Sequence, residues 1–275
     1  VIMILDVDAL VVAKRQLLDD GFCVVDGNIG INFLDELCGW SSGLLDESQL
    51  LSDWKYQGSD IHISGERFRS KRDNGLPRSE IVDRLIEHPM DMLRVMGLGD
   101  FKSGGTFQII SKPAEAPALY WHQDWARWDD PMSLSPWPQQ IFLNWYLDET
   151  DNANGCLRVI PGTHRRRVDL HDHLVPPHEG GGYQVEESNE WMFFDHPEAI
   201  DVTVSPGDLV IADARILHGT HPNQSAKRRT LLLGWYYRKS NEVPINWNEE
   251  VPDEILNRPP DLPFRWNRVP GKYLF

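Results

Sequence analysis

His122-Gln123-Asp124 and, much further along, His218 are residue types that together hold a reactive metal ion. On an extended strand, residues two apart point to the same face. His122 and Asp124 would therefore project together, and a histidine from a neighbouring strand would close a triangle around the ion. Two imidazoles and one carboxylate on one side of an octahedron, with the other positions open, is the ligand set of oxygen-activating non-haem Fe(II) centres. H-x-D is a short motif that a surface histidine beside a loop aspartate also satisfies. Likewise, a histidine closing the apolar run after Pro206-Gly207-Asp208 could be an ordinary core residue.

The residues after His218 discriminate between these readings. Thr220 lies two positions on, and Arg229 opens the strand-like run Thr230 to Tyr237. A guanidinium fork beside a hydroxyl suits the distal carboxylate of a dicarboxylic acid, because planar guanidinium binds carboxylate in bidentate fashion. Strand alternation lets only one of Arg228 and Arg229 face inward, and the phase of Leu231 and Leu233 selects Arg229.

These groups need elements to position them. The N-terminal third reads as helix and loop. A helix capped by Asp8 carries Leu10, Val11, Leu17 and Leu18 and is stopped by Gly21. Phe22 to Val25 reads as a short strand ended by Asp26-Gly27-Asn28. A second helix is expected over Phe33 to Cys38, capped by Asn32 and stopped by Gly39. Residues 41–76 read as loop with room for one strand. A third helix starts near Pro77 and ends near Gly97. From Thr106 the pattern changes to short β runs separated by Pro, Gly, Asn and Asp: Phe107 to Ile110, Ala118 to Trp121, Ile141 to Leu147, Leu157 to Ile160, Ile200 to Val204, Leu209 to Ala212 and Thr230 to Tyr237. Many short strands in one block suggest a sandwich, jelly roll or barrel.

The string Trp121-His122-Gln123-Asp124, then Asn154-Gly155-Cys156-Leu157, Pro161-Gly162-Thr163-His164, Pro206-Gly207-Asp208, His218-Gly219-Thr220, Asn223 and Arg229 resembles the phytanoyl-CoA dioxygenase family. The resemblance covers residues 106–237 well and the N-terminal region loosely. It implies a mainly β protein with flanking helices, built on a double-stranded β-helix (a jelly roll, cupin-like). The whole of 1–275 would be one domain: 1–105 a helical and loop elaboration, 106–240 the β-helix core and 241–275 an irregular tail. The resemblance also implies Fe(II) held by His122, Asp124 and His218, 2-oxoglutarate as co-substrate gripped by Arg229 and Thr220, and O2 as oxidant. Gln108 and Asn144 fall where the family places further co-substrate contacts, although an edge-strand glutamine and a satisfied buried amide fit the same positions. Halogenating relatives carry a small residue in place of the carboxylate. Asp124 thus implies hydroxylation or another oxidation of a small molecule, with succinate and CO2 as co-products.

Composition narrows the partners. A net charge of −15 argues against nucleic acid, where counterion release rewards lysine and arginine. Nothing resembles a CoA-phosphate cluster. Three cysteines with no C-x-x-C pair fit a reducing compartment. No apolar run approaches the ~20 residues of a membrane span, so a cytoplasmic protein is expected.

Of eleven tryptophans, Trp121, Trp125 and Trp128 crowd the H-x-D, with Arg127 among them. They read either as a substrate wall or as packing of a loop on the barrel. His171, His173 and His178 form a rival histidine cluster, but the surrounding Pro176-Pro177 and Gly180-Gly181-Gly182 mark a loop. Two other classes share such a scaffold: a non-redox metal-dependent hydrolase or isomerase, and a noncatalytic binding module. Arg229 and Thr220 speak against the first, which has no second substrate to hold, and the intact ligand triplet speaks against the second.

Overall fold

The computed structural model describes residues 6–48, 55–65, 80–177, 185, 188–239, 257, 259 and 268–269. Two antiparallel sheets face each other. The larger runs β1-β9-β6-β11-β4-β3-β2 and the smaller β5-β10-β7-β8. Their strands are β1 (Phe22–Val25), β2 (Lys55–Tyr56), β3 (Ser59–Gly65), β4 (Phe101–Lys112), β5 (Leu119–His122), β6 (Gln140–Tyr146), β7 (Leu157–Val159), β8 (Ile200–Val202), β9 (Leu209–Asp213), β10 (His218–Thr220) and β11 (Arg229–Arg238). This is the jelly roll of a double-stranded β-helix.

Alternation gives the large sheet two buried faces. Phe142, Tyr146, Val210, Ala212, Leu231 and Leu233 point between the sheets and meet Leu157, Val159 and Val202 of the small one. The opposite row, including Ile109, Leu143, Trp145, Ile211 and Leu232, packs under three helices: α1 (Val7–Asp20), α2 (Ile31–Ser48) and α3 (Glu80–Val95). No described helix is long and apolar enough to cross a membrane.

Several boundaries differ from the sequence expectation. Asp6, not Asp8, caps α1, its carboxylate accepting from the backbone N–H of Asp8 and Ala9. Gly21 ends the helix in the left-handed region, as expected of a C-terminal glycine. The second helix does not stop at Gly39 but continues to Ser48. Burial of Leu34, Leu37, Ser41 and Leu45 at helical spacing outweighs the roughly 1 kcal/mol that each mid-helix glycine costs. Two further segments of the supposed N-terminal loop, β2 and β3, join the large sheet, and β3 pairs with β4 along Asp60 to Gly65. Strand β10 was not anticipated; it is three residues long and contains a glycine. Pro77, His178 and the tail from 240, apart from a few positions, lie outside the described residues.

Candidate metal centre and anion cradle

The metal centre forms where β5 ends and β10 begins. In that antiparallel pair His218 stands directly opposite His122, and their ring centroids are 4.1 Å apart. Such close approach depends on Gly219, where a Cβ would come within 2.8 Å of the Leu119 carbonyl oxygen. Each ring is oriented by its own backbone. His122 Nδ1 lies 2.9 Å from the Tyr120 carbonyl, and His218 Nδ1 lies 3.1 Å from that of Ile216. Both carbonyls accept the Nδ1 proton, which fixes the tautomer and leaves each Nε2 lone pair for a metal.

Asp124, just past the strand end, completes the set. Its Oδ1 is 3.7 Å from His122 Nε2 and its Oδ2 is 3.9 Å from His218 Nε2. One donor atom from each residue falls within 4.8 Å of the others. The Trp235 indole N–H, from β11, donates to Asp124 Oδ2 at 3.2 Å. Two neutral imidazoles and a carboxylate fit a divalent first-row ion, and the absence of sulfur favours Fe(II) over softer metals.

Two fixtures hold the strand ends together. Gln123, between the two ligands, donates its side-chain amide to the Arg215 carbonyl. Arg215 is itself buried, paired with Asp213 (Nη2 to Oδ2 2.6 Å), and donates to the carbonyls of Ser133 and Ser135 at 2.8 Å. Trp125 N–H donates to the Ala214 carbonyl at 2.8 Å. The loop after Asp124 is thereby clamped to the turn that delivers His218.

The inner face of the large sheet leads away from this centre. Strand register aligns Trp235 with Phe142, then Leu233 with Gln108 and Asn144, then Leu231 with Ile110 and Tyr146, then Arg229 with Lys112. Gln108 and Asn144 thus flank one rung between the metal end and the Arg229 end. Asn144 is buried, and its side-chain oxygen has no hydrogen-bond partner.

At the far end two basic side chains lie side by side. Arg229 is 2% exposed; its Nη2 donates to the Gly155 carbonyl at 2.7 Å, and its Nε has no partner. Lys112, 1% exposed, donates to Thr220 Oγ1 at 2.6 Å. That oxygen also accepts from Leu119 N–H at 3.2 Å, so the hydroxyl proton remains to be given to a third group. Burial, and then the charge of Arg229, push the Lys112 amine down to about 6. Gly155 makes room: φ is +86° and a Cβ there would meet Lys112 Cδ at 2.8 Å. Among the described residues, no carboxylate is in ion-pair range of Arg229 or Lys112. A buried guanidinium with an orphaned N–H is costly unless an anion completes it, and the cradle fits a carboxylate.

Of the eleven residues singled out from the sequence, the structure brings His122, Asp124 and His218 to one point. It sets Arg229 and Thr220 at the cradle, with Gln108 and Asn144 between. Arg228, out of phase, reaches Ser111 at 3.0 Å instead. The indoles lie elsewhere. Trp121 is on the opposite face of β5 from His122, packed with Ile160, Leu170 and Leu217. Trp125 and Trp128 pack with Met132 and Ala214. All three indoles are buried in apolar packing. Arg127 is half-buried and ion-paired with Asp130. In the rival histidine cluster, His171 is buried and held down to about 4 by desolvation, while His173 stacks on Trp191 at 3.7 Å. They do not converge.

Sequence reasoning passed over Lys112, Trp235, Gln123 and Arg215. For Lys112 a signal existed, since it lies in the same strand phase as Gln108 and Ile110.

A jelly roll with a two-histidine, one-carboxylate centre defines a class of metal-dependent β-helix protein, and comparison with known proteins makes it specific. The family model described as Phytanoyl-CoA dioxygenase (PhyH) matches residues 18–231, and the chain belongs to this family. It is 31% identical over 161 residues to a probable alpha-ketoglutarate-dependent hypophosphite dioxygenase of Stutzerimonas stutzeri, a match covering 57% of this chain and 53% of that one. It is 27% identical over 179 residues to an L-proline trans-4-hydroxylase of Streptomyces griseoviridis, covering 59% and 65%. The chain thus matches between about half and two thirds of the length of these relatives. The crystal structure of the epimerase SnoN in complex with Fe3+, alpha ketoglutarate and nogalamycin RO shares the fold, with a TM-score of 0.57 over 98% of both chains at 14% identity.

Proposed function

We propose that this chain is an Fe(II)- and 2-oxoglutarate-dependent dioxygenase that hydroxylates a C–H bond of a small molecule. One observation carries the reading. A three-donor metal centre and the buried Arg229 and Lys112 pair, with no carboxylate partner among the described residues, lie at the two ends of one inward-facing row of residues. A non-redox hydrolase would have no use for the second end, and a noncatalytic module would have no use for the first.

His122, Asp124 and His218 would hold the iron. Bound iron supplies the reduction of O2, with 2-oxoglutarate leaving as succinate and CO2 and one oxygen atom passing to the substrate. The protein's own part is positional. Arg229 and Lys112 fix the distal carboxylate of the co-substrate, with the Thr220 hydroxyl donating a third hydrogen bond. Asn144 and Gln108 offer polar contacts along its length. Trp235 holds Asp124 in the orientation that binds metal. The apolar row of Phe142, Leu231 and Leu233 keeps water from the inner end. Arg127, on the loop after Asp124, has a partly exposed side chain, unlike Trp121, Trp125 and Trp128, and it is the member of that group we assign to a polar substrate. A hypophosphite dioxygenase and a proline hydroxylase among the relatives support a small substrate, and a retained carboxylate at 124 supports hydroxylation over halogenation.

Anaerobic addition of Fe(II) and 2-oxoglutarate should produce the visible charge-transfer band of the chelate, and O2 should then release succinate. His218→Ala should abolish the band and at least about 99% of the succinate. Ligand loss removes the metal as well as the geometry. A band of undiminished intensity in that variant would refute the assignment.

A further inference from the structure

The outer face of the small sheet carries a second convergence of metal donors. Leu157, Val159 and Val202 point into the core, so alternation turns Cys156, Arg158 and Asp201 the other way. Thr220 pairs with Leu157, which sets His221 opposite Cys156, and His221 N–H donates to the Cys156 carbonyl at 3.2 Å. Asp201 lies opposite Arg158 on β8. His221 Nε2 comes within 2.7 Å of Asp201 Oδ1. One donor atom each from Cys156, Asp201 and His221 falls within 4.8 Å of the others.

We propose that these three side chains form a second metal site, selective for Zn2+ or a softer divalent ion and separate from the iron centre. Thiolate, imidazole and carboxylate are the donors zinc takes, and a tetrahedral set has neighbouring donors about 3.5 Å apart, inside the 4.8 Å within which all three donor atoms fall. The thiol is buried, whereas the carboxylate and imidazole are partly exposed. An ion can therefore enter from solvent and keep water as its fourth ligand. Burial, chiefly, raises the Cys156 thiol to about 12, so S–metal bond formation must release the thiol proton to solvent. Affinity therefore grows with pH. Two cations face the site: Arg229 acts on the thiol from the cradle side, and Arg158 places its Nε 3.6 Å from Asp201. Its ion pair with Asp195 gives the guanidinium a partner when Asp201 turns to the metal. The site adjoins Gly155 and Thr220, so it backs directly onto the anion cradle.

The iron centre has no sulfur donor, so thiolate spectroscopy separates the two sites. Titrating the full chain with Cd2+ should develop an ultraviolet thiolate-to-cadmium band that saturates at one ion per chain, in wild type and in His218→Ala alike. Cys156→Ser should abolish it, His221→Ala and Asp201→Asn should weaken binding at least about tenfold, and Cys38→Ser should leave it unchanged. The Fe(II)·2-oxoglutarate band should persist in Asp201→Asn. Absence of the cadmium band in wild type, its survival in Cys156→Ser, or wild-type affinity in His221→Ala and Asp201→Asn would each overturn the proposal.

Discussion

The two ends of the inner row are built on opposite principles. At the metal end the donors are held before any ligand arrives: both imidazoles are tied through Nδ1 to carbonyls two residues upstream, and Asp124 is held by Trp235. At the cradle end the protein leaves its strongest groups unfinished. Arg229 keeps an unpartnered Nε, and Lys112 is buried beside it with a hydroxyl as its only partner among the described residues. The first end is preorganised, which lowers the entropic cost of binding. The second is frustrated until an anion enters, so co-substrate binding should stabilise that end more than metal binding does. Substitutions at the two ends should therefore separate cleanly.

The largest separation is expected from Arg229→Ala. Hydrogen bonds to charged groups contribute roughly 1.5–3 kcal/mol each, and a bidentate pair is lost. Since 1.4 kcal/mol is a decade of affinity, 2-oxoglutarate binding should weaken at least about 100-fold. Fe(II) affinity, measured without co-substrate, should change less than about twofold. If both fell together, the two ends would not be independent.

Lys112→Met should act in the same direction but less, weakening 2-oxoglutarate about tenfold. The amine contributes one charge-assisted bond, and part of that gain goes to protonating a buried group. Removing a buried ionisable group also removes its desolvation cost. The variant without ligands should therefore melt no lower than wild type, although its affinity is worse.

The same lysine makes binding depend on pH. With its amine at about 6 in the empty protein, Lys112 is mostly neutral at pH 7.5. Arg229 lowers it, while Cys156, on the small sheet behind the cradle, raises it. A carboxylate placed between Lys112 and Arg229 raises the amine's pKa, so binding takes up a proton. Below about pH 6 the proton is already present and affinity is flat. Above it affinity should fall, by at most tenfold per pH unit, until the pKa of the bound state is reached. Titration calorimetry in buffers of different ionisation heat should show this uptake in wild type and none in Lys112→Met.

How much of this was legible beforehand differs between the two ends in the same way. His122 and Asp124 are readable because a period of two acts within three residues. Arg229 is readable because the hydrophobic phase of Leu231 and Leu233 fixes its face. Lys112 was not read, since Ser111-Lys112-Pro113 looks like a strand running out into solvent. Its phase with Gln108 and Ile110 points inward, and the pairing of Lys112 with Arg229 shows that the strand runs on that far. Strand β10 escaped for a related reason: its three residues are a strand only because β5 and β7 flank them. Helix α2 was cut short because glycine lowers local propensity, whereas tertiary burial of Leu37 and Leu45 decides its length. Whether Trp125 and Trp128 line a pocket or fill a core depends on how the loop docks. Arg215 controls that docking from far along the chain, beyond the reach of any local pattern.

Trp235 is where the metal end can be loosened without being emptied. Its indole N–H is 3.2 Å from Asp124 Oδ2, a neutral donor on a charged acceptor, and phenylalanine keeps the ring face while deleting the donor. Loss of one such bond should cost about 1–1.5 kcal/mol, or roughly five- to tenfold in Fe(II) affinity, and the carboxylate would gain rotational freedom. Because Arg229 and Lys112 are untouched, 2-oxoglutarate affinity for the iron-loaded protein should shift less than about twofold, while the chelate band moves in energy as Asp124 becomes a stronger electron donor. If Trp235→Phe instead weakened 2-oxoglutarate as much as Lys112→Met does, the indole would be acting along the whole inner row. The division into a preorganised end and a frustrated end would then have to give way to a single coupled site.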